Sequence, residues 1–194
     1  FRLDLGLLVM SATLDCGPLE HLLGAPVIRS EGQSYPVTVS YVPVSAREDW
    51  RDHCAEQVMA LVDTAGVMLV FLPGQGDIRR VASQLNQCGC TTPVTSLHGG
   101  LPLDKQQQVL ALAATEPRLI VLTTNVAETS LTIEGVTHVI DSGFAREPVY
   151  DPARHRSRLV TRRISEANAR QRSGRAGRLG PGHSVRLWGK SEVL

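Results

Sequence analysis

Leu119-Ile120-Val121-Leu122-Thr123-Thr124-Asn125-Val126-Ala127-Glu128-Thr129-Ser130 passes from an unbroken apolar run straight into a hydroxyl-rich polar stretch. Continuous rather than alternating apolar character implies a strand buried on both faces, as in a parallel sheet covered by helices. Asn125 with Glu128 three residues on has the form of a capping box, so a helix is expected to start there. Comparable apolar runs lie at residues 5–10, 67–72, 92–97, 136–141 and 184–187, and helical patterns at 47–65, 77–88, 104–113 and 165–178. This alternation predicts an α/β fold, a mostly parallel sheet flanked by helices with right-handed crossovers. Ligands in such sheets bind beyond the carboxyl ends of the strands, which directs attention to the turns after Leu72, Leu97 and Thr123.

Each of these turns carries residues suited to an anion. A helix starting near Asn125 would present free N–H groups, with the hydroxyls of Thr124, Thr129 and Ser130 as further donors. Pro73-Gly74-Gln75-Gly76-Asp77 is a glycine-bearing turn with Asp77 placed near a helix N-cap, a pattern common to many α/β proteins. His98-Gly99-Gly100 reads first as a strand end. Ser11-Ala12-Thr13 follows the run at 5–10 and fits a helix cap equally well.

With 194 residues, 42% of them apolar and 4% aromatic, the chain suffices for one full core and part of a second domain. The polar, punctuated stretch 30–36 marks a boundary: residues 1–32 are expected to be the tail of a preceding domain and 33–194 the main one. No apolar run reaches the ~20 residues needed to span a bilayer. Cys16, Cys54, Cys88 and Cys90 lack zinc-site spacing, so we expect reduced thiols, a cytoplasmic location and no metal centre.

Net charge is only +1, yet residues 1–145 hold 8 Lys/Arg against 15 Asp/Glu while 146–194 hold 12 against 4. Such asymmetry points to a polyanion, nucleic acid or nucleotide, in preference to a membrane. Within the basic quarter, two extended pieces at 147–150 and 158–161 flank a polar segment, the pattern of a β-hairpin. Its Arg154, Arg156 and Arg158 either meet phosphates or simply solubilise a loop. Further on, Gln171-Arg172-Ser173-Gly174-Arg175-Ala176-Gly177-Arg178 spaces Gln171, Arg175 and Arg178 at i, i+4 and i+7, one face of a continuous helix. Two permanent cations there suit a triphosphate, as arginine fingers, or equally a nucleic-acid backbone.

These segments, in this order, resemble the superfamily-2 RNA helicases of the DEAH/RHA family. Residues 11–13 look like motif III, 71–78 like motif IV, 124–133 like motif V and 171–178 like motif VI, so the resemblance covers essentially the whole chain. Residues 70–80 and the ending Gly180-Pro181-Gly182-His183-Ser184-Val185-Arg186-Leu187-Trp188 look most like the bacterial HrpB-type subgroup. The resemblance implies the end of a first RecA-like domain and the whole of a second, of P-loop NTPase type, with an inserted β-hairpin.

It further implies ATP with Mg²⁺ at the cleft between the two domains, the Mg²⁺ ligands lying on the first. Arg175 and Arg178 would then contact the γ-phosphate, Gln171 would position the attacking water, Thr132 and Glu134 would contact the ribose, and Ser130 would sense nucleotide state. Thr124, Asn125, Gly74 and Gln75 would grip single-stranded RNA by its backbone, Arg154 and Arg156 would add hairpin contacts, and Ser11 and Thr13 would couple the two sites. Partners would be RNA, the first RecA-like domain and C-terminal domains of one longer chain. One departure is that Gln106-Gln107-Gln108-Val109-Leu110-Ala111 offers no aromatic where many relatives stack a phenylalanine on adenine, leaving nucleotide specificity open.

Three functions follow: an ATP-driven RNA translocase, a RecA-like nucleic-acid-binding domain without hydrolysis, and a small-molecule enzyme on a dinucleotide fold. The last lacks any Gly-x-Gly-x-x-Gly after a strand. The first requires a Gly-x-x-x-x-Gly-Lys-Ser/Thr loop and an Asp-Glu-x-His box, neither of which occurs in these residues.

Overall fold

The computed structural model describes residues 6–10, 16–28, 35–64, 66–129, 131–151 and 155–192. The chain divides into two compact units, Phe1–Gly32 and Gln33–Leu194. In the first unit, helix α1 (Cys16–Leu23) follows an irregular, exposed segment at residues 6–10. The strand expected over residues 5–10 is not formed by the described ones, because no strand pairs with them and an isolated extended segment has no ladder for its N–H and C=O groups. Ser11 and Thr13 lie outside the described residues.

The second unit is built on six parallel strands in the order β1 (Val37–Tyr41), β8 (Gly182–Arg186), β5 (Val136–Asp141), β2 (Val67–Phe71), β4 (Leu119–Thr123), β3 (Val94–Leu97). Central strands β2 and β4 are buried at every position, which is why their sequences run apolar without alternation. Successive side chains go to opposite faces. Met68, Val70 and Leu72 join Ile120 and Leu122 against α2 (Trp50–Leu61) and α3 (Gln75–Gln87). Val67, Leu69 and Phe71 join Val121 and Val139 against α4 (Leu103–Thr115) and Ala176. The result is the expected sheet between two helical layers. Strand β1 escapes the criterion of continuous apolarity because it is an edge strand, reading Val-Thr-Val-Ser-Tyr with only partial burial.

The hairpin forms as a separate antiparallel pair, β6 (Phe144–Asp151) with β7 (Arg156–Arg163), longer than its sequence pattern suggested. Helix starts also shift. The N-cap of α3 is the extended Gly74, so Asp77 sits inside the first turn, buried, with its carboxylate 2.8 Å from Arg51 Nε. Helix α5 (Val126–Thr129) is a single turn, and no capping box closes it: the Glu128 carboxylate turns instead to Arg172 and Asn168.

The largest correction concerns residues 165–178. Helix α6 (Glu166–Ser173), capped by the Ser165 hydroxyl on the Asn168 N–H, ends where Gly174–Gly177 tightens into a 3-10 turn. Gln171, Arg175 and Arg178 therefore do not share one α-helical face. Close packing explains the change. A Cβ on Gly177 would stand 2.6 Å from the Tyr35 carbonyl oxygen, and one on Gly182 would run into the Ala176 carbonyl, so the 3-10 turn is pressed onto β1 and β8 through two glycines. Gly182→Ala is accordingly expected to cost about 1–3 kcal/mol through overpacking, and urea unfolding of variant and parent side by side measures it.

Candidate functional site

Three segments far apart in sequence meet under the carboxyl edge of the sheet. On α6 the inward positions are Ala169, Arg172 and Ser173. The small residues on either side let the guanidinium of Arg172 reach the core, where it is 1% exposed. Arg172 Nε donates to Glu128 Oε2 at 3.1 Å, its Nη1 donates to Asp141 Oδ1 at 2.8 Å, and its plane lies 4.9 Å from the centre of the Phe71 ring. Asp141 Oδ1 also accepts the Gly143 N–H at 2.9 Å, fixing the turn at Gly143 (φ +78°) that launches the hairpin. Burial raises the Asp141 carboxyl above the ordinary carboxylate range although Arg172 pulls it back, and its other oxygen has no protein partner.

Arg175 reaches the same segment without meeting a carboxylate. Its Nε and Nη2 donate to the Glu128 carbonyl and its Nη1 donates to the Leu131 carbonyl at 2.6 Å. Burial and the nearby Arg178 charge push it down to about 10. Arg178 is exposed, with Nη1 3.4 Å from the Thr132 hydroxyl. Among the described residues no carboxylate pairs with Arg175 or Arg178. Because Glu128 is already taken by Arg172, two neighbouring cations are left short of counter-charge, an arrangement that attracts a polyanion.

A second cluster forms where β2, β3 and β4 end in register at Phe71, Leu97 and Thr123. The Thr124 N–H donates to the Leu97 carbonyl at 3.2 Å, placing the turn after β4 beside His98. Gln75 Nε2 lies 3.1 Å from His98 Nδ1, and a Cβ on Gly100 would collide with that amide at 2.6 Å. The guanidinium of Arg146 lies across Gly74, so that a Cβ there would stand 2.9 Å from its Cζ. On the helical layer, Glu48, His53 and Glu56 bring three potential ligand atoms together. Both His53 nitrogens already face acceptors, Glu48 Oε1 at 3.1 Å and the Val42 carbonyl at 3.2 Å.

The sequence-derived residues thus separate into two groups. Arg175 and Arg178 meet the segment after α5, which carries Thr132 and exposed Glu134, while Gln171 is half-buried in the last turn of α6. Gly74, Gln75, Thr124 and exposed Asn125 belong to the three-turn cluster. Arg156 lies on β7 opposite Asp151. Ser130 and Arg154 lie outside the described residues. Sequence reasoning passed over Arg172, Asp141 and Arg146. Arg172 was legible as the inward partner of Ala169 and Ser173, whereas Asp141 and Arg146 depend on contacts no local pattern encodes.

The fold is that of a helicase C-terminal domain. The family model described as helicase conserved C-terminal domain matches residues 52–180, and the chain belongs to that family. The chain is 43% identical over 195 residues to the ATP-dependent RNA helicase HrpB of Escherichia coli (strain K12), covering 99% of this chain and 24% of HrpB. It is 38% identical over 200 residues to the pre-mRNA-splicing factor ATP-dependent RNA helicase prp22 of Schizosaccharomyces pombe, covering 98% of this chain and 17% of prp22. The crystal structure of the E. coli DExH-box NTPase HrpB superposes with a TM-score of 0.85 at 44% identity, over 97% of this chain and 24% of that one. A second, of the E. coli DEAH/RHA helicase HrpB, gives 0.83 at 43% identity, over 93% and 24%. These matches place the chain with DEAH/RHA-type helicases of the HrpB kind, and its sheet is the RecA-like one. The chain spans about a quarter of the length of HrpB.

Arg172→Ala would leave Glu128 and Asp141 buried without their shared ion-pair partner. Removing one member of such a group costs about 3–5 kcal/mol, so the variant is expected to unfold at markedly lower urea concentration.

Proposed function

We propose that this chain is the second RecA-like domain of an ATP-dependent RNA helicase, with residues 1–32 the end of the first. The observation that supports it most is the like-charged pair Arg175 and Arg178, neither in an ion pair with a carboxylate among the described residues, with Arg178 beside the Thr132 hydroxyl. In this reading Arg178, exposed and without a described counter-ion, is the finger that meets the γ-phosphate. Arg175 commits most of its donors to the Glu128 and Leu131 carbonyls, holding the segment that carries Ser130 and Thr132 while adding positive charge. Gln171 orients the attacking water, and Thr132 and Glu134 face the ribose.

Phosphoryl transfer passes through a loose, charge-rich transition state, where a finger is worth about 10³–10⁵ in rate. Mg²⁺ would neutralise the β- and γ-phosphates when bound, through carboxylates on the first RecA-like domain. Apart from Glu134, this chain contributes cationic and hydroxyl groups there, which suit phosphate and ribose oxygens better than a divalent metal.

The three-turn cluster of Gly74, Gln75, Thr124 and Asn125 grips single-stranded RNA by its backbone, with little sequence preference, and Arg154 and Arg156 extend that contact. Partners are RNA, the first RecA-like domain and C-terminal domains of the same protein. No helix among the described residues is long and apolar enough to cross a membrane, and the cytoplasm is the proposed location.

Two outcomes test the reading. Arg178→Ala in the complete protein is expected to lower RNA-stimulated ATP turnover by about 10³-fold or more with an unchanged melting temperature; near-normal turnover would remove Arg178 from the role. The isolated 194-residue chain is expected to hydrolyse no ATP, because it contains neither the phosphate-cradling loop nor the acidic box, and sustained turnover by the purified chain would contradict half-site chemistry.

A further inference from the structure

Helix α2 places His53 and Glu56 three residues apart, on one side of its first two turns. Glu48 precedes the N-cap Asp49, in a turn closed by its own N–H on the Ser45 carbonyl at 3.1 Å. One nitrogen of His53 and one carboxylate oxygen from each glutamate lie within 4.8 Å of one another. The imidazole is buried, Glu48 is half-buried and Glu56 is exposed, so the group opens to solvent along one side. None of the three belongs to the clusters that carry the nucleotide and RNA residues.

The hydrogen bonds of His53 decide what the group can hold. A carbonyl oxygen only accepts, so the 3.2 Å bond to Val42 puts the hydrogen on Nε2. Val42 is itself fixed, its N–H donating to the Arg186 carbonyl at 2.8 Å. In the neutral ring the Nδ1 lone pair then points at Glu48 Oε1, 3.1 Å away. Two electron-rich atoms stay that close only with positive charge between them. A proton on Nδ1 supplies one charge against two carboxylates, whereas a divalent cation balances both. No basic side chain does so instead: among the described residues neither Glu48 nor Glu56 pairs with an arginine or lysine, Arg51 going to Asp49 and Asp77 and Arg80 to Asp49 and Asp52.

An imidazole whose outer N–H is anchored on a backbone carbonyl is the usual arrangement of a metal-ligating histidine. One nitrogen and two carboxylate oxygens suit a first-row divalent ion such as Zn²⁺, whereas Mg²⁺ prefers oxygen alone. Ligand atoms around tetrahedral Zn²⁺ stand roughly 3.3 Å apart, near the separation that His53 and Glu48 already hold. Glu56, on an exposed side chain, has about 1.5 Å at most to close. We propose that Glu48, His53 and Glu56 form a Zn²⁺ site with water in the fourth position, clamping the loop after β1 to the start of α2. That end of α2 also holds Trp50 against Phe144 at the hairpin base, ring centres 5.9 Å apart, and Arg51 against Asp77 of α3. A bound ion therefore stiffens the junction from which both contacts are made.

The test is calorimetric titration of the complete, nucleotide-free protein with Zn²⁺ in the presence of excess Mg²⁺. One equivalent bound by the parent should weaken about a hundredfold in Glu56→Gln and in Glu48→Gln, while Cys88→Ser, which removes an exposed thiol, should bind as the parent does. Co²⁺ in place of Zn²⁺ should give the weak visible bands of a nitrogen and oxygen site without the intense near-ultraviolet band of a thiolate. Added Zn²⁺ should raise the melting temperature of the parent more than that of Glu56→Gln, and melting curves establish that each variant is folded. Equal uptake by the parent and both folded glutamine variants overturns the site, as does a thiolate band or loss of the equivalent in Cys88→Ser. If Glu48→Gln lowers the melting temperature while Glu56→Gln alters neither stability nor uptake, the group is an imidazolium–carboxylate pair alone and the proposal fails.

Discussion

The buried guanidinium of Arg172 is the constraint around which the domain is organised. Placing a charge in a nearly waterless interior is costly, and the attraction of two carboxylates repays it only when geometry is close to ideal. Glu128 follows β4, Asp141 ends β5 and Arg172 ends α6, so satisfying one side chain fixes three chain segments at once. Asp141 also sets the turn into the hairpin, while burial, helped by the Asp141 charge, pushes the neighbouring Cys54 thiol up to about 12. An apolar trio of similar volume would in many proteins be at least as stable. What the ionic group adds is registry: apolar packing can slide, but a forked cation between two carboxylates has one seat.

From that seat the positions of the later arginines follow. Helix α6 cannot continue past Ser173 in ideal form, because Gly177 is already pressed against Tyr35 and Ala176 against Gly182. The 3-10 turn absorbs the difference. It carries Arg175 to the Glu128 and Leu131 carbonyls and leaves Arg178 at the surface.

How far the sequence revealed this depends on whether a residue's role is local. Strands β2, β4 and β5 were readable because burial on both faces leaves a continuous apolar mark, and β4 and β5 match the expected spans residue for residue. Edge strand β1 left a weaker, alternating mark and went unread. The capping box at Asn125 and Glu128 was a sound local inference that a tertiary demand overrode: a buried arginine 44 residues away is a stronger claimant on a carboxylate than an exposed N–H. Close packing at Gly177 and Gly182, equally invisible locally, ended the helix expected over 165–178. The motif residues were visible as a set, but their division into structural and solvent-facing members was not, since the three arginines of residues 171–178 look alike until their acceptors are known.

Those acceptors distinguish them on physical grounds. Arg172 faces two carboxylates and is neutralised, hence structural. Arg175 faces carbonyls, which satisfy its hydrogen bonds without cancelling its charge, so it both braces a segment and projects a field. Arg178 and Arg146 have no described carboxylate and stand in solvent, one beside the Thr132 hydroxyl and one across a glycine. Exposure leaves both charges uncancelled, so each can offer a full cation to a ligand without first breaking an ion pair.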